Sequence, residues 1–331
     1  MANAILVIGE GAEGALVPIS AEMLGGARRL AEGSGQSVAC ALMGSGVESL
    51  AQEAIAFGAD EVLVVDDPAL AEYNSDAYLQ AMLKLVESAS GGSLAIILFG
   101  QTNLGRDLAP RLAFRLSTGV IMDCIELAME GDRLAATRPC YGGNARAINV
   151  VRTDPQIATV RAKSQDALER DSARQGQVTK VDVAIDTAAV RMKVTERKGL
   201  TAEGVRLEDA DVVVSGGRGL GGPENFDVIE ELAGALGAAV GASRAVCDLG
   251  WRPVSDQVGL TGKVVSPTLY VAVAISGASQ HMAGCSGSKN IVAINKDPDA
   301  NIFKAARFGI VEDYAKVVKP LTEAVQREKG S

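Results

Sequence analysis

The chain has 331 residues, 47% hydrophobic and 22% charged, enough to bury a sizeable core and to form about two domains. A net charge of −9 and a pI near 4.9 exclude a phosphate-backbone binder, which gains affinity from clustered Lys and Arg, so no nucleic-acid partner is expected. No apolar run approaches the ~20 residues that span a bilayer, and Ala4–Ile8 is strand-like rather than part of a signal peptide; a cytoplasmic protein without membrane insertion is expected.

From the N-terminus, short apolar runs at Ala4–Ile8, Val38–Met43, Glu61–Val65 and Leu94–Phe99 alternate with amphipathic stretches at Ser20–Glu32, Ser45–Phe57 and Ala77–Glu87. In the first of these stretches Met23, Leu24, Ala27, Leu30 and Ala31 share one helical face that ends at Gly33, a C-cap residue type. The strand runs are continuously apolar, which predicts burial on both faces and hence a parallel sheet covered by helices. A further helix is predicted over Asp107–Leu116.

Strand-like runs then crowd together at Val120–Leu127, Leu134–Thr137, Ala145–Val151, Gln156–Val160 and Val178–Thr195, which predicts pairing between consecutive strands. Ser164–Gln177 is polar and charged and reads as a surface loop. A domain boundary near Lys198 divides an N-terminal domain, 1–198, from a C-terminal one, 199–331. There a strand at Asp211–Ser215 enters the turn SGGRGLGG, and an amphipathic helix follows over about Glu224–Leu236. Leu269–Ile275, Ile291–Ile294 and Ile310–Glu312 read as three more strands, and Gln326–Ser331 as a frayed polar end.

Gly217, Gly219 and Gly222 satisfy GxGxxG between a predicted strand and a predicted helix, where a bare backbone can approach a pyrophosphate. Glycine is abundant, with 37 residues, so a plain tight turn explains the spacing equally well. Arg218 within the turn favours an anion. Next, GASRAVCDLGW (Gly241–Trp251) offers Arg244 either as a solvated surface residue or as a fixed cation beside a ligand. QVGLTGK (Gln257–Lys263) is by itself only a turn. In Tyr270–Phe303, one buried strand breaks into SGASQH and a second ends in AINKD. Loops at the carboxyl ends of parallel strands are where α/β sheets bind ligands. His281 there is either a satisfied imidazole or a donor to a ligand carbonyl, and Asn295 a donor to sugar or phosphate.

Five scattered cysteines, Cys40, Cys124, Cys140, Cys247 and Cys285, form no CxxC pair, and His281 is the only histidine. Neither an iron–sulfur cluster nor a multi-histidine metal site is supported, so no metal is expected. A hydrolase lacks a nucleophile elbow. An NAD-dependent dehydrogenase lacks a clearly placed ribose-reading acid about 20 residues past the glycines.

Taken in order, GASRA, QVGLTGK, ISGASQHMAG, NIVAINKDP and GIVEDYAKVVKPLTEAV resemble the C-terminal signature of electron transfer flavoprotein alpha subunits. The likeness continues through SGGRGLGGPENF and more loosely through LGRDLAPRLAFRL and TRPCYGGNA. It implies an α/β fold: an N-terminal parallel-sheet domain with added strands that contacts a beta subunit, and a C-terminal Rossmann-like (DHS-like) domain that binds FAD. It also implies an electron carrier rather than an enzyme, accepting electrons from an acyl-CoA or other flavin dehydrogenase and passing them to a quinone reductase or another acceptor. The alternative is the alpha subunit of an electron-bifurcating, NADH-oxidising complex.

The resemblance places Arg218, Ser243, Arg244, the turn Val258, Gly259, Leu260 and Thr261, the loop Ser276, Gly277, Ala278, Ser279, Gln280 and His281, and Asn295, Asp313 and Tyr314 against FAD. Arg244, His281 and Thr261 carry the redox roles: Arg244 near the isoalloxazine, His281 at the carbonyl of its pyrimidine end, Thr261 at its reactive edge. Asn295 and Asp313 face the adenosine end. A cation and a donor beside the ring favour the negative charge gained on reduction, so Arg244 and His281 are expected to raise its potential. Leu260 stands where the family commonly has Gln, which removes one polar side chain from the turn.

Overall fold

The computed structural model describes residues 4–12, 14–32, 34–90, 94–143, 145–196 and 206–330. These divide into two compact units, one within 1–139 and 146–198 and the other within 140–145 and 199–331. The predicted boundary at Lys198 and the predicted cap at Gly33 lie outside the described residues.

The first part of the chain runs β1 (Ala4–Gly9), a two-residue ladder β2 (Gly11–Ala12) and β3 (Ala15–Leu16), α1 (Pro18–Ala31), β4 (Val38–Gly44), α2 (Ala51–Ala56), β5 (Glu61–Asp66), α3 (Ser75–Ser90), β6 (Leu94–Gly100) and α4 (Asn103–Arg115). Then follow β7 (Val120–Cys124), β8 (Glu126–Glu130), β9 (Arg133–Cys140), β10 (Ala145–Val150), β11 (Gln156–Val160) and β12 (Gln177–Lys180). Seven strands form one sheet in the order β12-β5-β4-β1-β6-β11-β7, parallel at every pairing. The continuous apolar runs have the predicted cause. In β1, Ile5 and Val7 enter the core under α1 and α2, while Leu6 and Ile8 enter the core under α3 and α4, so both faces need apolar side chains.

Consecutive pairing, predicted for residues 120–195, holds only for the separate sheet β10-β9-β8. The other strands of that region join the parallel sheet. Asp123 takes φ 65° within the run Val120–Leu127, which becomes the whole of β7 and the start of β8 in two different sheets. Every residue of β11 is buried, the pattern of an interior strand. Of the predicted strand Val178–Thr195 only Val178–Lys180 pairs, within β12, and Asp186 caps a single 3-10 turn beyond it.

The second unit runs β13 (Val212–Gly216), α5 (Asp227–Leu236), β14 (Ala239–Ala242), α6 (Arg244–Asp248), β15 (Leu269–Val273), α7 (Ser279–Cys285), β16 (Asn290–Asn295), β17 (Phe308–Val311) and α8 (Tyr314–Lys329). Its sheet, β14-β13-β15-β16-β17, is parallel throughout. Cys285 of α7 and Ile302 pack on one face, and α5, α6 and α8 on the other through Ile229, Leu232, Val246 and Val318. The predicted frayed end is instead helical as far as Lys329, whose Nζ donates to the Leu236 carbonyl at 2.9 Å. Among the described residues no helix is long and apolar enough to cross a membrane, and no group of three His, Cys, Asp or Glu side chains could hold a metal ion.

Candidate functional site

In the sheet of the second unit, β13 is followed by β14 on one side and β15 on the other. That reversal opens a crevice at the carboxyl ends of β13 and β15, the location at which doubly wound sheets take ligands. Gly217 lies in it. A Cβ there would stand 2.1 Å from the Ala274 carbonyl oxygen, and Gly217 and Gly219 donate to Val273 O and Ala274 O at 2.9 and 3.3 Å. Ala274 itself takes φ 55°, a strained conformation for alanine.

The predicted residues gather along this one edge because each follows a strand. Arg218 follows β13; Ser243 and Arg244 follow β14; Ser276–His281 follow β15; Asn295 ends β16; Asp313 and Tyr314 follow β17. The turn Val258–Thr261 joins the same edge through a bridge between Ala242 and Gln257.

Arg218 and Arg244 are exposed. Arg218 forms no ion pair among the described residues, while Arg244 meets Asp248 at 3.3 Å, with both side chains more than 60% exposed. Such a pair holds the guanidinium only weakly.

The loop after β15 carries a row of open donors. The N–H groups of Ser276, Gly277 and Ala278 reach no acceptor among the described residues, and α7 has no side-chain cap. Gly277 makes the loop possible: it takes φ 79°, and a Cβ would lie 2.2 Å from the Ile302 backbone nitrogen. Ser276, Ala278, Ser279 and Gln280 are exposed. A run of backbone donors without a protein acceptor, among small residues, suits a phosphate.

The turn of residues 258–261 is held from within. Val258, Gly259 and Leu260 donate to Ala242 O, Lys263 O and Gln280 O at 2.9, 3.1 and 2.7 Å. The Leu260 side chain is exposed, 62% of it open to solvent. The Thr261 hydroxyl is fixed by Gln257, whose Nε2 donates to it at 3.0 Å. Gln257 is buried and was not among the predicted site residues; a polar residue directly before an apolar-glycine turn was its only signal in the sequence.

Three predicted ligand contacts have structural partners. Asn295 donates from Nδ2 to Ile275 O at 2.9 Å and accepts from Asp297 N at 3.0 Å, so it shapes the loop after β15. Asp313 caps α8 by accepting from Ala315 N. Tyr314 donates to Leu220 O at 2.8 Å and ties α8 to the turn after β13. A cleft of about 30 Å³ between them, lined by Gly219, Ala274, Asn295, Lys296, Asp313 and Tyr314, has room for about two waters.

His281 departs furthest from expectation. Its imidazole is turned inward, 7% exposed, with Nε2 2.9 Å from the Tyr270 hydroxyl and Nδ1 buried without a hydrogen bond. Burial pushes its pKa down to about 4, so the ring is neutral near pH 7. Neither ring nitrogen reaches the edge in this conformation.

The glycine fingerprint also differs from its simplest form. Two 3-10 turns, Arg218–Leu220 and Pro223–Phe226, separate Gly217 from α5, which opens with Asp227 and Glu230 in its first turn. Acidic residues there disfavour an anion, which leaves the loop after β15 and the exposed arginines as the groups of this edge suited to one.

Residues 5–186 match the family model described as the electron transfer flavoprotein domain, and residues 206–286 that of the electron transfer flavoprotein FAD-binding domain. The chain is 46% identical over 327 residues to an electron transfer flavoprotein subunit alpha of Thermoanaerobacterium thermosaccharolyticum, covering 98% of each. It is 45% identical over 325 residues to that of Bacillus subtilis, covering 98% of this chain and 97% of the relative. With that of Megasphaera elsdenii it shares 45% identity over 332 residues, again 98% and 97%.

Proposed function

Because the chain belongs to the electron transfer flavoprotein family as an alpha subunit, we propose that it pairs with a beta subunit and shuttles electrons from a flavin dehydrogenase, such as an acyl-CoA dehydrogenase, to a quinone reductase or other acceptor. FAD is its cofactor. The single observation that carries the reading is the edge of the second sheet, where open backbone donors and two exposed arginines follow parallel strands and a held threonine hydroxyl stands in the adjoining turn.

FAD supplies the redox chemistry when bound. The chain's own residues bind and orient it. The N–H groups of Ser276–Ala278 and the Arg218 guanidinium suit the pyrophosphate. Arg244 offers a permanent positive charge that favours added electron density nearby. Thr261, held by Gln257, offers its hydroxyl at a fixed position. Asn295, Asp313 and Tyr314 act through the loops they hold, and His281 through its buried contacts.

The reading is tested by co-producing the chain with its beta subunit and recording the absorption spectrum. One FAD per heterodimer, reducible by a flavin dehydrogenase with its substrate, is the expected result; a folded complex that takes up no FAD would refute it. A second flavin in the complex, with oxidation of NADH, would assign the chain to a bifurcating complex instead.

A further inference from the structure

The carbonyl of Leu220 is gripped from two directions. It ends the 3-10 turn Arg218–Leu220 that follows β13. It accepts from Asn225 Nδ2 at 2.8 Å and from the Tyr314 hydroxyl, 94 residues away, also at 2.8 Å. A carbonyl oxygen only accepts and has two lone pairs, so the direction of both bonds is fixed and the acceptor is full. A phenol titrates at about 10, so Tyr314 is a donor at neutral pH. Neither donor belongs to the turn itself. Asn225 stands in the next 3-10 turn, Pro223–Phe226, and Tyr314 opens α8.

The backbone on either side of Arg218 is held as well. Gly217 and Gly219 donate to Val273 O and Ala274 O, at and just past the end of β15, and a Cβ on Gly219 would stand 3.0 Å from the Ala274 oxygen. Beyond Leu220 the chain has two glycines in succession, Gly221 with φ 88° and then Gly222. Such a pair lets the peptide after Leu220 turn in several ways at little cost. Two donors on the Leu220 carbonyl remove that freedom. Arg218, whose side chain is exposed, therefore rides on a turn tied to β15 at one end and to α8 at the other.

We propose that Asn225 and Tyr314 are positioning residues for Arg218: together they fix the Leu220–Gly221 peptide, so that the guanidinium meets the phosphates of the cofactor from a backbone held at both ends. An arginine already loses rotamer freedom when it grips an anion, and a mobile turn beneath it would add to that cost. Tyr314 thus serves the cofactor through the turn and without touching it. The C-terminal helix α8 becomes part of the anion site by the same bond.

The inference rests on the reading that this edge holds FAD, and its test separates the two. FAD is titrated into the deflavinated heterodimer carrying Tyr314→Phe, Asn225→Ala or Arg218→Ala, and into the pairs that join each of the first two with Arg218→Ala. Tyr314→Phe keeps the ring and removes only the donor. Each of the two alone should weaken FAD binding about fivefold, the effect of one hydrogen bond, and Arg218→Ala more than about tenfold, because its bonds are charge-assisted. With Arg218→Ala already present, Tyr314→Phe and Asn225→Ala should add less than about twofold, since the group they position is gone. The same fivefold loss with and without Arg218 overturns the proposal, because the residue would then act on the fold or on FAD directly. An Arg218→Ala complex that binds FAD as the parent does overturns it too, and in both cases the yellow complex keeps the flavin reading. Hydrogen exchange across residues 218–225 of the deflavinated heterodimer reads the turn without flavin; it should quicken in Tyr314→Phe and in Asn225→Ala, and an unchanged rate overturns the proposal. A folded parent complex that takes up no FAD, while exchange still quickens in these variants, would leave the grip on the turn in place and sink the flavin reading.

Discussion

Replacing Gly217 with alanine tests whether the crevice between β13 and β15 is set by backbone contact alone. Gly217 has φ −106° and ψ 171°, a conformation alanine adopts freely, so conformational strain does not enter. The added methyl would sit 2.1 Å from Ala274 O and 2.7 Å from its carbonyl carbon, where ordinary contact begins at 3.4 Å, so the two loops would have to part by about 1.3 Å. Both groups are backbone and cannot swing aside. Overpacking of this kind costs about 2 kcal/mol, and if the edge must stay closed to grip FAD the same amount appears as a roughly thirtyfold rise in Kd. The assay is titration of FAD into the deflavinated heterodimer together with a thermal melt. Gly234→Ala is the control: it lies within α5, with nothing within 4 Å of its added Cβ, and should stabilise by about 1 kcal/mol while leaving Kd unchanged. A Gly217→Ala complex with Kd within about twofold of the parent would refute the argument, since that corresponds to only about 0.4 kcal/mol.

Arg244→Ala should lower the flavin midpoint potential in a redox titration. It should change unfolding stability by less than about 0.5 kcal/mol, because its only ion pair among the described residues is exposed; an unchanged potential would remove the charge role. Asp313→Ala should cost about 1 kcal/mol in denaturant unfolding through loss of the α8 cap, and Asp313→Asn should recover most of it. Glu10, at the carboxyl end of β1, has its carboxyl pushed by burial from 4.5 up to about 7 in the folded chain. The folded state thus binds the proton more tightly, a contribution present in full below pH 4.5 and lost as pH rises through 7. Glu10→Gln should accordingly gain stability relative to the parent between pH 5 and pH 8 in melts across that range. Glu22, raised to about 7 by its own burial, keeps part of the slope in that variant.

Much of this protein was legible in its residues. Continuous apolar runs such as Ala4–Ile8 require two-sided burial wherever they pack, so they determine parallel, helix-covered sheets without knowledge of neighbours. The glycines at 217 and 277 mark where a backbone must pass close or turn left-handed, and the order of the C-terminal motifs identifies the family. Tertiary structure alone decided which strands meet. The runs at 120–124, 156–160 and 177–180 join the large parallel sheet, because local periodicity reports burial and not partner. It also decided what the polar groups do. Tyr270 with His281, Gln257 with Thr261, and Tyr314 with Leu220 94 residues away are pairings made by the packing of strands and helices. A residue type states only that a donor or acceptor exists; whether it faces a ligand or a neighbour depends on where the rest of the chain has been placed.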